Sequence, residues 1–190
     1  MGKLDNAVGY LSGAMEMVSD HGVGWRRKFI DLSKNANLNI DYIDPTNKPS
    51  NSENKIGEDK NYQNSLKKEG KWKELKEYVS QYRRLDLRYT DISDFLIAAI
   101  VPGIAQYGTS NEIYVAEEQH KPIFFYCEEG LYNFPNWLFP LIKFNDNKPI
   151  NIFQKLEDII QKLCDLNDGK EKIGDEWVLV RKFIEENRSQ

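Results

Sequence analysis

The sequence predicts an α/β domain built on a mostly parallel five-stranded sheet flanked by helices. Three observations carry that expectation. Residues 95–101 (FLIAAIV) are uniformly apolar, as a central strand covered on both faces requires. Residues 7–11 (AVGYL) and 122–127 (PIFFYC) are two further short apolar runs next to turn residues. Between the last two of these strands in chain order, residues 112–119 read as a helix. Strand, helix, strand in that order is the pattern of a parallel sheet with crossover helices.

The elements follow one another plainly. The first strand runs into Ser12-Gly13-Ala14 and a loop loosened by Gly22 and Gly24, after which residues 25–33 (WRRKFIDLS) resume at helical spacing. Residues 38–43 (LNIDYI) alternate and stop at Asp44-Pro45, which gives a second strand. From 47 to about 69 the chain is rich in Asn, Lys, Glu and Ser and cannot bury a core. Residues 72–84 then place Trp72, Leu75, Tyr78, Val79 and Tyr82 at helical spacing. Residues 47–82 are therefore expected as an insertion, a loop followed by a helix, over the face where the second strand ends. Beyond residue 127 come an aromatic stretch after Gly130 and two amphipathic helices, at about 152–166 and 175–187. No internal repeat is visible, and residues 1–190 read as one domain.

Composition narrows the function. A length of 190 residues suits one α/β domain with a sizeable core. A net charge of −4 argues against a general nucleic-acid binder, yet leaves room for one bound nucleotide. Cys127 and Cys164 lie far apart in apolar surroundings, without metal-ligand spacing, and read as reduced core thiols. No basic-then-apolar leader opens the chain, and its longest apolar run, 95–104, is too short to span a bilayer. A soluble cytoplasmic protein with no membrane partner is expected. No GxGxxG follows the first strand, and His21 and His120 stand without Ser, Cys or metal-ligand company, so neither cofactor nor metal is expected.

In open parallel sheets, ligands bind at the carboxyl ends of the strands. Three loops leave those ends: 12–24, the one from Asp44, and 102–111. Glu112 follows the third, next to Gly108-Thr109, at the expected start of a helix. A carboxylate there points into the crevice, near backbone N–H groups that keep it ionised. The same position equally suits an acid that only complements the helix dipole. Asp86, Asp91 and Asp94 crowd the approach to the central strand, and each taken singly is no more than a cap.

Residues 86–98 (DLRYTDISDFLIA), then Gly108-Thr109-Ser110-Asn111-Glu112-Ile113, then Ala116 and Lys121-Pro122-Ile123, resemble in order and spacing the nucleoside 2-deoxyribosyltransferase family. That family includes related nucleotide N-hydrolases. Gly9-Tyr10-Leu11-Ser12-Gly13-Ala14 is similar to its first strand and loop, so the resemblance covers roughly 7–126, interrupted by the polar excursion. It implies a flavodoxin-like fold, a covalent retaining mechanism, Glu112 as nucleophile, Asp86 as the motif aspartate and Asp94 as a second. It also implies a site completed by a neighbouring subunit, hence a homo-oligomer. The chain departs from the pattern at Gln106, where several members carry an acid that helps position sugar or base.

The chemistry is consistent with that resemblance. Breaking an N-glycosidic bond creates an oxocarbenium-like centre, which a nearby carboxylate can trap. A second carboxyl group can manage the proton of the departing base, the role expected of Asp86. Tyr10, Met15 and Trp25 offer a flat apolar wall for a base, or else ordinary core packing. Gly13, Asp94, Gln106, Gly108, Thr109 and Asn111 complete the expected binding set. Arg26 and Arg27, and equally Arg83, Arg84 and Arg88, are candidates for a 5′-phosphate, with plain surface placement as the alternative. The aromatic knot from Phe134 to Phe139, around Trp137, suits core or subunit interface. The expected activity is cleavage or transfer of the N-glycosidic bond of a (deoxy)nucleoside or nucleotide. Two alternatives stay open: non-catalytic binding of a nucleotide-derived ligand, and hydrolysis of an NAD-like dinucleotide.

Overall fold

The computed structural model describes residues 2–47 and 60–188. Strands β1 (Val8–Gly13), β2 (Asp41–Ile43), β3 (Phe95–Ala99) and β4 (Ile123–Tyr126) lie side by side and parallel. The two-residue strands β5 (Phe144–Asn145) and β6 (Lys148–Pro149) form a separate antiparallel hairpin. Strand β7 (Ile152–Phe153) then adds to the outer edge of β4, which completes a five-stranded parallel sheet in the order β2-β1-β3-β4-β7. The fold is the α/β, flavodoxin-like one expected, with a helical insertion.

Among the described residues six α-helices accompany the sheet: α1 (Val23–Asn35), α2 (Lys60–Lys68), α3 (Trp72–Ile92), α4 (Tyr107–Glu118), α5 (Leu156–Asn167) and α6 (Val180–Arg188). Because strand side chains alternate, β1 serves two cores. Leu11 faces Phe29 of α1 and the Ile159–Leu163 stripe of α5, while Tyr10 faces Ile113 and Ala116 of α4. Phe95 and Ile97 join the first cluster, Leu96 and Ala98 the second, so β3 is covered on both sides. Gly9 is dictated by that packing, since a Cβ there would sit 2.6 Å from the Phe95 ring.

Several boundaries differ from expectation, each for a local reason. Residues 152 and 153 do not open a helix; they pair with Phe125 and Tyr126, and α5 begins at Leu156. Ile152 and Phe153 are apolar at positions that continue the helical spacing of α5, so periodicity alone merges strand and helix. Helix α4 starts at Tyr107 rather than at Glu112. Its first turns contain Gly108, Thr109, Ser110 and Asn111, weak helix formers, and burial of Ile113 and Ala116 holds the helix instead. Helix α3 continues through Asp86 and Asp91 to Ile92, so those acids are helical residues and not turn caps. Helix α6 begins at Val180 instead of 175.

Of the 47–82 excursion, residues 48–59 lie outside the described residues. The rest comprises α2, which buries Leu66 and Gln63, and the first half of α3, on which α2 packs. The aromatic knot is divided: Phe134 and Leu138 enter the core, whereas Trp137 is 81% exposed. Among the described residues no helix is long and apolar enough to cross a membrane. Cys127 and Cys164 are both free thiols.

Candidate functional site

In this strand order the chain reverses direction across the sheet between β1 and β3, the place where parallel sheets open a crevice at their carboxyl ends. A cavity of about 500 Å³ lies there, within the size range of small-molecule sites, roughly 300–1,000 Å³. The end of β1 and the loop after it supply Gly13 to Met17, the turn after β2 supplies Pro45, and the segment after β3 supplies Ala105 to Thr109 and Asn111. The opposite wall is α3. Its cavity residues Val79, Tyr82, Arg83, Asp86 and Leu87 recur at three- and four-residue intervals, which is one face of a helix. Val79 and Tyr82, from the described part of the 47–82 excursion, thus face the cavity. Lys60 of α2 also reaches the first loop, donating to the Glu16 carbonyl at 2.9 Å.

Glu112 sits at the bottom, 7% exposed. It is the sixth residue of α4 and turns toward the end of β1, where Tyr10 and Ser12 project from one face of the strand. The Tyr10 hydroxyl donates to Oε1 at 2.9 Å, and the Ser12 hydroxyl donates to Oε2. The polar groups around the carboxylate are therefore two hydroxyls, not the backbone N–H groups expected at a helix start. Burial pushes the Glu112 carboxyl above its ordinary value, and Asp86, when ionised, acts the same way. The bonds from Ser12 and Tyr10 and the Arg26 guanidinium oppose that rise. Burial, and then Glu112 itself, hold the Tyr10 phenol well above its ordinary value, so it stays a donor.

Of the residues singled out from sequence, Tyr10, Gly13, Met15, Asp86, Gln106, Gly108, Thr109, Asn111 and Glu112 all line the cavity. Two do not. Asp94 lies at the amino edge of the sheet, where its carboxylate accepts the amides of Val8 at 2.7 Å and Val180 at 3.2 Å. It fastens β1, β3 and the start of α6 together, far from the carboxyl edge. Trp25, in the first turn of α1, packs on the Tyr126 ring with centroids 6.4 Å apart and belongs to the other face's core.

Three further residues have roles the sequence did not disclose. Gln106 lines the cavity, but its amide is bound to backbone, Oε1 accepting Val101 N–H at 2.8 Å and Nε2 donating to Ala99 carbonyl at 2.9 Å. It clamps the end of β3 to the start of α4. Arg26, a phosphate candidate by sequence, is fully buried and donates to the carbonyls of Leu11, Gly22 and Gly13 at 2.8–2.9 Å, with Asp44 3.7 Å away. It ties the end of β1 to the start of α1. Gly22 makes this possible: its φ is 71°, and a Cβ there would collide with the Ala14 carbonyl and the guanidinium. Arg27 is exposed and outside the cavity, as are Arg84 and Arg88, whereas Arg83 is on its wall. Ser12 was the legible omission, a polar residue two positions from Tyr10 in a buried strand and so on the same face.

The arrangement can hold a small organic molecule among apolar side chains (Met15, Met17, Val79, Leu87) and a pair of carboxyl groups, Glu112 and Asp86. Among the described residues no group of three or more His, Cys, Asp or Glu is placed to hold a metal ion. No protein-family model matches the chain, and no curated protein matches it.

Proposed function

We propose that this chain is a cytoplasmic enzyme that cleaves or transfers the N-glycosidic bond of a nucleoside or nucleotide through a covalent glutamate intermediate. One observation carries the reading: a buried carboxylate, Glu112, held by two hydroxyl donors at the floor of a switch-point cavity, with Asp86 on the α3 wall. A carboxylate held there by fixed donors is suited to attack an anomeric carbon as positive charge develops on it. Asp86 gives its proton to the departing base and takes one back from the water or acceptor base that releases the sugar. Met15, Met17 and Leu87 supply the apolar wall against which a base packs. Exposed Trp137 and Tyr132 support the accompanying expectation of a homo-oligomer, and light scattering that finds a monomer would count against it.

The deciding experiment incubates the protein with a panel of nucleosides, nucleotides and dinucleotides, with and without added free base. The products separate hydrolysis from transfer. Intact-protein mass spectrometry should reveal a sugar adduct that disappears in Glu112→Gln. Asp86→Asn should slow turnover by roughly 10²–10⁴-fold, the usual worth of general acid–base help.

A second reading, binding or sequestration of a nucleotide-derived ligand without turnover, has one observation in its favour. Burial raises the Glu112 pKa, and a protonated acid there is a hydrogen-bond donor rather than a nucleophile. Binding across the panel with no product would select it.

A further inference from the structure

Four side chains act on the Glu112 carboxylate: Tyr10 and Ser12 from β1, Asp86 from α3 and Arg26 from α1. Tyr10, Asp86 and Arg26 line the cavity; Ser12 does not, and it is fully buried. Its neighbour in register on β3 is Ala98, which has no polar group to offer. Both Ser12 and Ala98 belong to the sheet face that α4 covers. A hydroxyl in such a place costs stability unless it is bonded, and its recorded side-chain partner is Oε2 of Glu112. An alanine would fill the position with nothing left to satisfy, so packing alone does not account for the serine.

We propose that Ser12 is a positioning residue for Glu112, holding Oε2 from the sheet side so that Oε1, the oxygen shared with Tyr10, is the one presented to the ligand. This rests on the glycosidic reading for its chemistry, but not for its geometry. In the first step the Oε1–anomeric carbon bond forms as the carbon–nitrogen bond breaks. The electron pair leaves with the base, which takes the Asp86 proton. Oε2 becomes the carbonyl oxygen of the glycosyl ester and still accepts from Ser12. In the second step water attacks the anomeric carbon, the ester bond's electron pair returns to Oε1, and the water's proton passes to Asp86. A hydrogen bond is stronger to a carboxylate than to an ester carbonyl. Ser12 therefore favours the ionised resting carboxylate and also the release of the sugar.

The other groups facing Glu112 are unchanged in Ser12→Ala, which makes that variant informative: Asp86 continues to raise its pKa, and Tyr10 and Arg26 to lower it. The test is a ¹³C NMR titration of the Glu112 side-chain carboxyl in the ligand-free protein, assigned with Glu112→Gln. Ser12→Ala should move the midpoint upward by about one pH unit, near what one hydrogen bond to a charged group is worth. Ser12→Thr, which keeps the hydroxyl, should return it toward wild type. In turnover, Ser12→Ala should lengthen the life of the sugar adduct. An unmoved midpoint in Ser12→Ala, or a Ser12→Thr midpoint equal to that of Ser12→Ala, overturns the proposal. A wild-type protein that never forms an adduct overturns the glycosidic reading instead, and the titration still decides the role of Ser12.

Discussion

Replacing Glu112 by Gln should make the protein more stable at neutral pH, and the gain should vanish in acid. Glu112 is 7% exposed, and burial is the largest influence on its carboxyl, raising the folded-state pKa above that of the unfolded chain. An acid with a raised folded pKa contributes stability that is fully present below the unfolded value of about 4.5. That contribution is lost as pH rises through the folded value, because the folded state must then bury a charge that the unfolded chain leaves in water. Glutamine carries no such charge. Each tenfold by which the folded protein holds that proton more tightly is worth about 1.4 kcal/mol above both pKa values. In a chain of this size that raises Tm by about 3–5 °C. The amide opposes the gain in part, since its NH2 must donate to one of the two hydroxyls that now donate to the carboxylate. Thermal melts of wild type and Glu112→Gln between pH 4 and 8 read the balance. A difference that grows with pH supports the argument. A difference flat with pH would show that Tyr10, Ser12 and Arg26 balance burial, and one that falls as pH rises would show that they outweigh it.

Three other outcomes follow from contacts already described. Gln106→Glu puts a carboxylate oxygen where Nε2 now donates to the Ala99 carbonyl, so it should cost about 1–3 kcal/mol and lower Tm by several degrees; unchanged stability with an altered ligand preference would return Gln106 to a ligand-contacting role. Asp94→Ala strands the Val8 and Val180 amides and should cost about 2–4 kcal/mol while leaving turnover per folded molecule intact, so chemical denaturation and activity measured side by side should diverge. Tyr82→Ala, which trims the α3 wall without touching Glu112, should raise KM more than it lowers kcat across a nucleoside panel; a fall confined to kcat would contradict that placement.

The sheet was legible because its central residues admit one reading. FLIAA with Phe95, Leu96, Ile97 and Ala98 all wholly buried is a strand that two helical layers cover, and no amphipathic helix has that pattern. The carboxyl-edge cavity followed from the parallel order. What stayed hidden was the side of the sheet on which each acid before β3 falls. Asp94 immediately precedes a parallel strand and must lie at its amino edge. Asp86, eight residues earlier, is carried back toward the opposite edge by about 9 Å of helix. The two aspartates look alike in sequence, yet the continuation of α3 past Arg84 separates them. Arg26 was misjudged for a related reason. An arginine in a first helical turn resembles an exposed phosphate ligand until the path of the preceding loop is known, and that path depends on Gly22 lying in the left-handed region.

The cavity has two owners. Glu112 and its two hydroxyl donors belong to α4 and β1, which are packed into the sheet, whereas much of the cavity wall is one face of α3. That helix is fixed near its carboxyl end, where Lys121 donates to the Asp91 carbonyl at 2.8 Å. It meets β1 there as well, where Tyr89 lies beside the Tyr10 ring with centroids 6.4 Å apart, while Val79, Tyr82, Arg83 and Leu87 lie earlier along its cavity face. Changes at Val79, Tyr82, Arg83 and Leu87 can therefore alter what fits while Tyr10, Ser12 and Glu112 keep their geometry. A chain built this way can change the shape of its cavity by drift along one helical stripe, with Tyr10, Ser12 and Glu112 inherited intact.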